Sequence, residues 1–364
     1  MRGMLFYSFV LAAAVCLLVS PSALGQAAKW PGTAEGDYVA KNFKFRSGET
    51  LPELRLHYTT LGKPVRNAEG QVTNAVLILH GTGGSGTQFL QPIFAGELFG
   101  PGQLLDSNRY FIILPDGIGH GKSSKPSDGL HAHFPQYDYD DMVAAHQQLL
   151  SEGLGVSHLR LILGTSMGCM HSFVWGETYP EFMDALMPLA CQPVQIAGRN
   201  RTWRKMVMDA IRNDPEWKGG EYSAEPQQGL RTALDLLLIA GSAPLYMQKT
   251  LPTRDAADKY LDDYFKTRMT GLDANDLLYA VNASRNYDPS LQLEKITARV
   301  MYINSADDFI NPPELGMAER EIKKVKNARF VLIPRSDETR GHGTHTRAVV
   351  WKQYLAELLE KSAH

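Results

Sequence analysis

Cysteine is scarce in this chain: the 364 residues include three, Cys16, Cys169 and Cys191. So few exclude a fold built on a disulfide framework, and Cys169 and Cys191 read as two buried free thiols. A disulfide is open to them only if the chain is exported and the fold brings them together. Charge of one sign is lacking as well. Lys and Arg number 37 against 39 Asp and Glu, well mixed along the chain, for a formal net charge of -2. No basic field exists to attract nucleic acid, and no charged tail is present. There is no low-complexity linker and no internal repeat, which excludes a repeat array.

What is present is apolar and regularly punctuated. Hydrophobic residues make up 44% of the chain, enough for one large globular domain or two modest ones. The N-terminus reads as a signal peptide over residues 1–25. Arg2 supplies the positive start, Leu5 to Val19 is free of charge, and Ser22-Ala23-Leu24-Gly25 offers a small-x-small cleavage site before Gln26. An uncleaved membrane anchor is the rival reading, although the run is short for a bilayer span. Cys16 follows Ala13-Ala14-Val15, a poor context for lipid attachment. The expected location is periplasmic or secreted, with no membrane contact for the mature chain, residues 26–364.

Tyr38 to Tyr58 alternates about Gly48, as an antiparallel hairpin does. Six short apolar runs follow, each ending in turn residues: Val76–Leu79, Tyr110–Leu114, Leu159–Leu163, Ala185–Ala190, Val300–Ile303 and Phe330–Ile333. They are continuous rather than alternating, the pattern of strands buried on both faces. Helical segments lie between them. One opens at Asp138, Asp140 and Asp141, one runs from Ser166 to Tyr179 before Pro180, and one covers Val349 to Leu359. The alternation predicts an α/β fold with a mostly parallel central sheet flanked by helices. About 194–286 breaks it with a long helical stretch, too long for a loop, which reads as a helical cap inserted after the sixth core strand.

Gly164-Thr165-Ser166-Met167-Gly168 follows an apolar strand and opens a helix. That setting gives G-x-S-x-G its meaning: a tight turn lifts the serine oxygen above the sheet edge, ahead of a helix N-terminus. A serine hydroxyl is a weak nucleophile and needs a base, held in turn by an acid, in the chain order Ser, Asp or Glu, His. Asp307 and Asp308 follow one strand; His342 and His345 follow the last. Position proposes Ser166, His342 and Asp308 as the catalytic set, with His345 and Asp307 as alternates. An oxyanion needs two amide donors. Met167, next to the nucleophile, supplies one, and the loop His80-Gly81-Thr82-Gly83-Gly84 supplies the other, from Thr82. His131 and His133 lack a third metal ligand in register, so no metal is expected. Gly117-x-Gly119-x-Gly121 misses the dinucleotide spacing and reads as a turn at the rim of the site, so no cofactor is expected.

These residues together resemble the homoserine O-acetyltransferase family of α/β-hydrolases, from roughly Val76 to the C-terminus. The resemblance rests on Gly164 to Met170 with Tyr179-Pro180, on Phe134-Pro135 with Asp141-Met142-Val143, and on Asp214-Pro215-x-Trp217-x-Gly219-Gly220-x-Tyr222. It rests further on Asp273-Ala274-Asn275 with Tyr279, on Asp308 followed by Pro312-Pro313, and on Gly341-His342. It implies the α/β-hydrolase fold, Asp308 over Asp307, His342 over His345, and a homodimer. The chain departs from that family at His80 to Gly84, where the relatives carry His-Ala-Leu-Thr-Gly. It also lacks their Gly-Cys and Gly-Pro-Ser features between Asp116 and Asp128. Both segments border the site, so the fold and triad are implied but the homoserine acceptor is not. The expectation is an exported enzyme that hydrolyses a small acyl ester through an acyl-Ser166 intermediate. The rivals are an acyltransferase with a hydroxyl acceptor and a non-catalytic binding protein on the same fold.

Overall fold

A computed structural model describes residues 30–363. The expected signal peptide lies outside them. Eight strands form one sheet: β1 (Ala34–Lys44), β2 (Thr50–Leu61), β3 (Ala75–Leu79), β4 (Phe111–Pro115), β5 (Leu161–Thr165), β6 (Ala185–Leu189), β7 (Arg299–Ser305) and β8 (Ala328–Ile333). Their spatial order is β1-β2-β4-β3-β5-β6-β7-β8. β1 and β2 form an antiparallel hairpin, β2 lies antiparallel to β4, and the rest are parallel. The fold is that of the α/β-hydrolases.

Ten α-helices accompany the sheet among the described residues: α1 (Ala95–Leu98), α2 (Tyr139–Gln148), α3 (Met167–Thr178), α4 (Gly198–Arg212), α5 (Gln227–Gly241), α6 (Pro244–Thr250), α7 (Arg254–Arg268), α8 (Ala274–Asn282), α9 (Met317–Glu321) and α10 (Ala348–Lys361). Every residue of β3 is buried, and its side chains alternate between two cores. Leu77 and Leu79 join Met142, Phe173 and Trp175 from α2 and α3. Val76 and Ile78 join Leu98, Trp351 and Leu355 from α1 and α10. Both faces are therefore apolar, which is why the strand has no polar alternation to read. Each such Leu, Ile or Val, fully buried, stabilises the fold by about 1.5–3 kcal/mol. Helix α2 starts at Asp138, whose carboxylate accepts from Asp141 N while Asp141 accepts from Asp138 N, a reciprocal cap.

Between β6 and β7 the chain leaves the sheet and forms α4 to α8. The family-like motifs of this insertion meet in space. Trp217 Nε1 donates to Asn275 Oδ1, Asn275 Nδ2 donates to the Gly220 carbonyl, and the Tyr222 hydroxyl accepts from Asn275 N. Tyr279 donates to the carbonyls of Ala132 and Phe134, which ties α8 to the core domain ahead of α2.

One expectation is overturned. Cys169 and Cys191 are not free thiols; they form a disulfide, with Cα atoms 5.8 Å apart. The cause is topological. β5 and β6 are neighbours with Thr165 opposite Leu189, so the first turn of α3 and the residues leaving β6 emerge side by side. The bridge closes a loop of sequence separation 22, for which the chain-entropy argument gives roughly 3 kcal/mol. We expect Cys169→Ala/Cys191→Ala to lower unfolding free energy by that amount in denaturant titration. Two titratable thiols in the unreduced, unfolded parent would show that the bridge does not form.

Glu177, on the last turn of α3, has a buried Oε2 without a partner among the described residues. Burial, reinforced by Asp140, Asp288 and Glu294 and opposed by Lys295, pushes its carboxyl up to about 8 from an ordinary 4.5. The folded protein holds the proton where the unfolded chain has released it, so stability falls as pH rises from about 4.5 towards 8. Glu177→Gln should raise the melting temperature near pH 9 and leave it unchanged near pH 4. An equal shift at both pH values would contradict this.

Candidate active site

β5 ends in a bend that is sterically demanding. Ser166 adopts φ 54° and ψ -108°, a region that residues with a side chain rarely enter. Two glycines permit it. A Cβ on Gly164 would lie 1.9 Å from the Gly168 carbonyl oxygen, and one on Gly168 would lie 2.1 Å from the Leu79 oxygen. The bend is fixed by Ser166 N donating to Leu189 O (2.8 Å) and Gly168 N donating to His80 O (2.9 Å), bonds to β6 and to the end of β3. Ser166 thus stands at the N-terminus of α3, where the helix amides point outward.

The hydroxyl of Ser166 lies 2.8 Å from His342 Nε2, and His342 Nδ1 lies 2.8 Å from Asp308 Oδ2. Asp308 accepts at both ring-facing and rear oxygens. Ile310 N (2.8 Å) and Asn311 N (3.3 Å) donate to Oδ1, and Asn311 Nδ2 (2.9 Å) donates to Oδ2 alongside the histidine. Burial alone pushes the Asp308 carboxyl up. His342, the Asn311 amide and the Ile310 amide outweigh it and hold the group below the usual carboxylate range. An acceptor-only carboxylate fixes the proton of a neutral His342 on Nδ1, leaving Nε2 free to accept from Ser166.

The alternates occupy other places. Asp307 accepts from Ser305, Thr339 (2.8 Å) and Gly341 N (3.1 Å), so it braces the turn that carries His342. His345 is half-buried, its ring edge-on to His342 with centroids 5.1 Å apart. Burial, helped by His342 and opposed by Asp308, lowers it to about 3, which keeps it neutral. His133 lies exposed near Glu221, and His131 packs against Tyr222. Neither faces Ser166.

Thr82 and Met167 flank the serine. A Cβ built on Gly81 would sit 3.3 Å from Ser166 Cβ, so the loop after β3 approaches Ser166 closely. Among the described residues, the amides of Thr82 and Met167 donate to no other protein group. They are therefore free to receive an oxygen that develops negative charge. Ser166, His342 and Thr82 open onto one cavity of about 1360 Å³, with Met170, Trp203 and Leu237 among its walls. Residues of α4 and α5 form part of that wall, so the insertion between β6 and β7 shapes the space above the serine.

Three features of the site escape sequence reasoning. The Cys169–Cys191 bridge has no signal in spacing alone. Asn311, a buried donor to Asp308, carries only the weak cue of a polar residue before Pro312-Pro313. Trp203, on a helix face among several apolar residues, does not announce that it meets the cavity.

A family profile described as the alpha/beta hydrolase fold matches residues 74–337. A protein of Methanothermobacter thermautotrophicus named "Probable acyltransferase" is 30% identical over 84% of this chain and 91% of its own length. The chain belongs to the α/β-hydrolase family. Within it, the chain is homoserine O-acetyltransferase-like: such an enzyme from Thermobifida fusca is 28% identical over 78% of this chain and 83% of the relative. Among solved structures, an acetylester hydrolase from Corynebacterium glutamicum superposes with a TM-score of 0.79 at 21% identity, covering 90% of this chain and 96% of the other. At that identity the likeness speaks to the fold. This α/β-hydrolase is an enzyme of the hydrolase or O-acyltransferase kind.

Proposed function

We propose that this α/β-hydrolase carries out acyl transfer through Ser166 and that its main reaction is hydrolysis of a small ester. The observation that carries the reading is the continuous hydrogen-bonded line from Asp308 through His342 to Ser166 Oγ, opening onto a cavity. His342 Nε2 takes the Ser166 proton as Oγ attacks the acyl carbonyl carbon. The carbonyl oxygen becomes an oxyanion held by the amides of Thr82 and Met167. The carbon–oxygen bond to the alcohol then breaks, and His342 returns the proton to the departing oxygen. Water attacks the acyl-Ser166 ester while His342 accepts its proton, and the acid leaves as Ser166 regains its hydrogen. Asp308 holds the imidazole tautomer and stabilises its charged form. No cofactor enters any step.

Export supports water as the acceptor. The N-terminal segment has the composition of a signal peptide, and a Cys169–Cys191 disulfide suits an oxidising compartment such as the periplasm or the extracellular space. Acyl-CoA and homoserine are cytosolic metabolites, which an exported enzyme would meet only sparsely. In this reading α4 to α8 act as a cap that selects the acyl and alcohol groups. A second reading, transfer to a hydroxyl acceptor, is favoured by the names of the curated relatives. It shares every step up to the acyl-serine and differs only in what attacks it.

The two separate when the purified protein is given acyl esters and acyl-CoA, with and without hydroxyl acceptors. Hydrolysis that needs no acceptor is expected. Product formed only with an acceptor would establish the second reading. No turnover of any substrate, with no labelling by a fluorophosphonate, would contradict both.

A further inference from the structure

Behind the oxyanion loop lies a histidine that the reaction as written does not use. His120, in the glycine-rich turn after β4, is buried. Its Nε2 is 2.9 Å from the carbonyl oxygen of Thr82, and its Nδ1 is 2.9 Å from the carbonyl oxygen of Ile118. Both neighbours are acceptors, and a neutral imidazole has a single N–H to offer. Neither carbonyl has another donor among the described residues. The charged neighbours do not resolve the shortage. Asp116 favours a second proton on His120, but burial disfavours it more, and the His80 ring lies 5.0 Å away, centroid to centroid. His146 is also close, and burial keeps it neutral as well. One proton therefore serves two carbonyls.

The position of Thr82 explains why this matters. Its N–H belongs to the Gly81–Thr82 peptide, whose carbonyl accepts from His80 Nδ1 (2.9 Å) and Gly84 N (3.0 Å). His80 Nε2 accepts from Gly117 N (2.9 Å), so the His80 tautomer is settled with its proton on Nδ1. The next peptide, Thr82–Gly83, is held at its carbonyl by His120 alone among the described residues. With both flanking peptide planes clamped, the backbone angles of Thr82 are fixed and its free amide has one direction. If the His120 proton moved to Nδ1, two lone pairs would face each other across 2.9 Å at Thr82, and the loop would be pushed away.

We propose that His120, with its proton on Nε2, is a positioning residue that bonds the turn after β4 to the oxyanion loop and aims the Thr82 amide at the reacting carbonyl. The proposal rests on the reading of Thr82 as an oxyanion donor.

Two substitutions separate the two ring contacts. In His120→Asn the side-chain amide reaches about as far as Nδ1, so it meets Ile118 and misses Thr82. In His120→Gln the amide nitrogen reaches about as far as Nε2 and donates to Thr82. Asn is expected to lower kcat by about 10²-fold with KM little changed, the scale of a displaced oxyanion donor. It should weaken a trifluoromethyl ketone, which forms a tetrahedral adduct, in proportion to the loss in kcat/KM. Gln should restore kcat to within about tenfold of the parent. Parent-like turnover in Asn, or a lost kcat with unchanged ketone affinity, would overturn the proposal. If neither variant folds, 15N NMR of the parent decides: a proton on His120 Nε2 agrees, and an Nε2 without a proton overturns it. A parent that turns over no ester is a failure of the acyl-transfer reading, and the NMR result still tests the contact to Thr82.

Discussion

Ser166→Ala is expected to lower kcat by about 10³-fold or more on any ester that the parent turns over, with folding preserved. The substitution removes one oxygen and nothing else. Alanine carries the same Cβ through the same positive φ, so the strained bend costs the same in both proteins. Its bonds to Leu189 and from Gly168 to His80 involve backbone atoms and survive. What remains is a cavity with two free amides and a histidine, which can still orient water against a bound ester but can form no acyl-enzyme. His342→Ala should cost a comparable factor, because a serine hydroxyl without a base is a poor nucleophile. His345→Ala should not, since His345 is neutral and bonded to neither Ser166 nor Asp308.

Asp308→Asn should lower kcat by about 10⁴-fold, and Asp307→Asn by less than about tenfold. The side chains are neighbours in sequence and alike in chemistry, so the contrast isolates geometry. An asparagine at 308 would present either an N–H or an oxygen to His342 Nδ1. Ile310 N and Asn311 N both donate at the Oδ1 position and claim its oxygen, which leaves the amide nitrogen at the Oδ2 position, where the acceptor of Asn311 Nδ2 is lost as well. The N–H then faces the histidine and forces the ring proton onto Nε2, where it can no longer accept from Ser166. An asparagine at 307 keeps one acceptor for Gly341 N and loses little. Equal losses at the two positions, or a larger loss at 307, would mean that the bond between His342 and Asp308 does not set the tautomer.

Much of this is legible in the sequence because it is local. A five-residue strand whose side chains alternate into two apolar cores reads as a continuous apolar run. A bend with φ 54° at a serine needs glycines two residues to either side, and Gly164 and Gly168 are there. In the proposed triad the acid and the base each follow a strand end, so position along the chain limits the candidates to Asp307 or Asp308 and His342 or His345. The choice within each pair is a matter of side-chain direction, which no spacing encodes. Asp307 turns towards Thr339 and Gly341, and Asp308 turns towards His342. The disulfide was illegible for a similar reason. Cys169 and Cys191 meet only because β5 and β6 are adjacent, and adjacency of parallel strands is a property of the whole sheet. The contact between His120 and Thr82 spans 38 residues and joins two loops. Gly119-His120-Gly121 gives no sign of it beyond a turn.

The most direct test is peptide mass analysis of enzyme quenched in acid during turnover of a slow ester. An acyl group on the peptide that contains Ser166, absent from His342→Ala under the same conditions, is the result the account predicts. Steady hydrolysis with that peptide unmodified, or with the acyl group on another side chain, would contradict it.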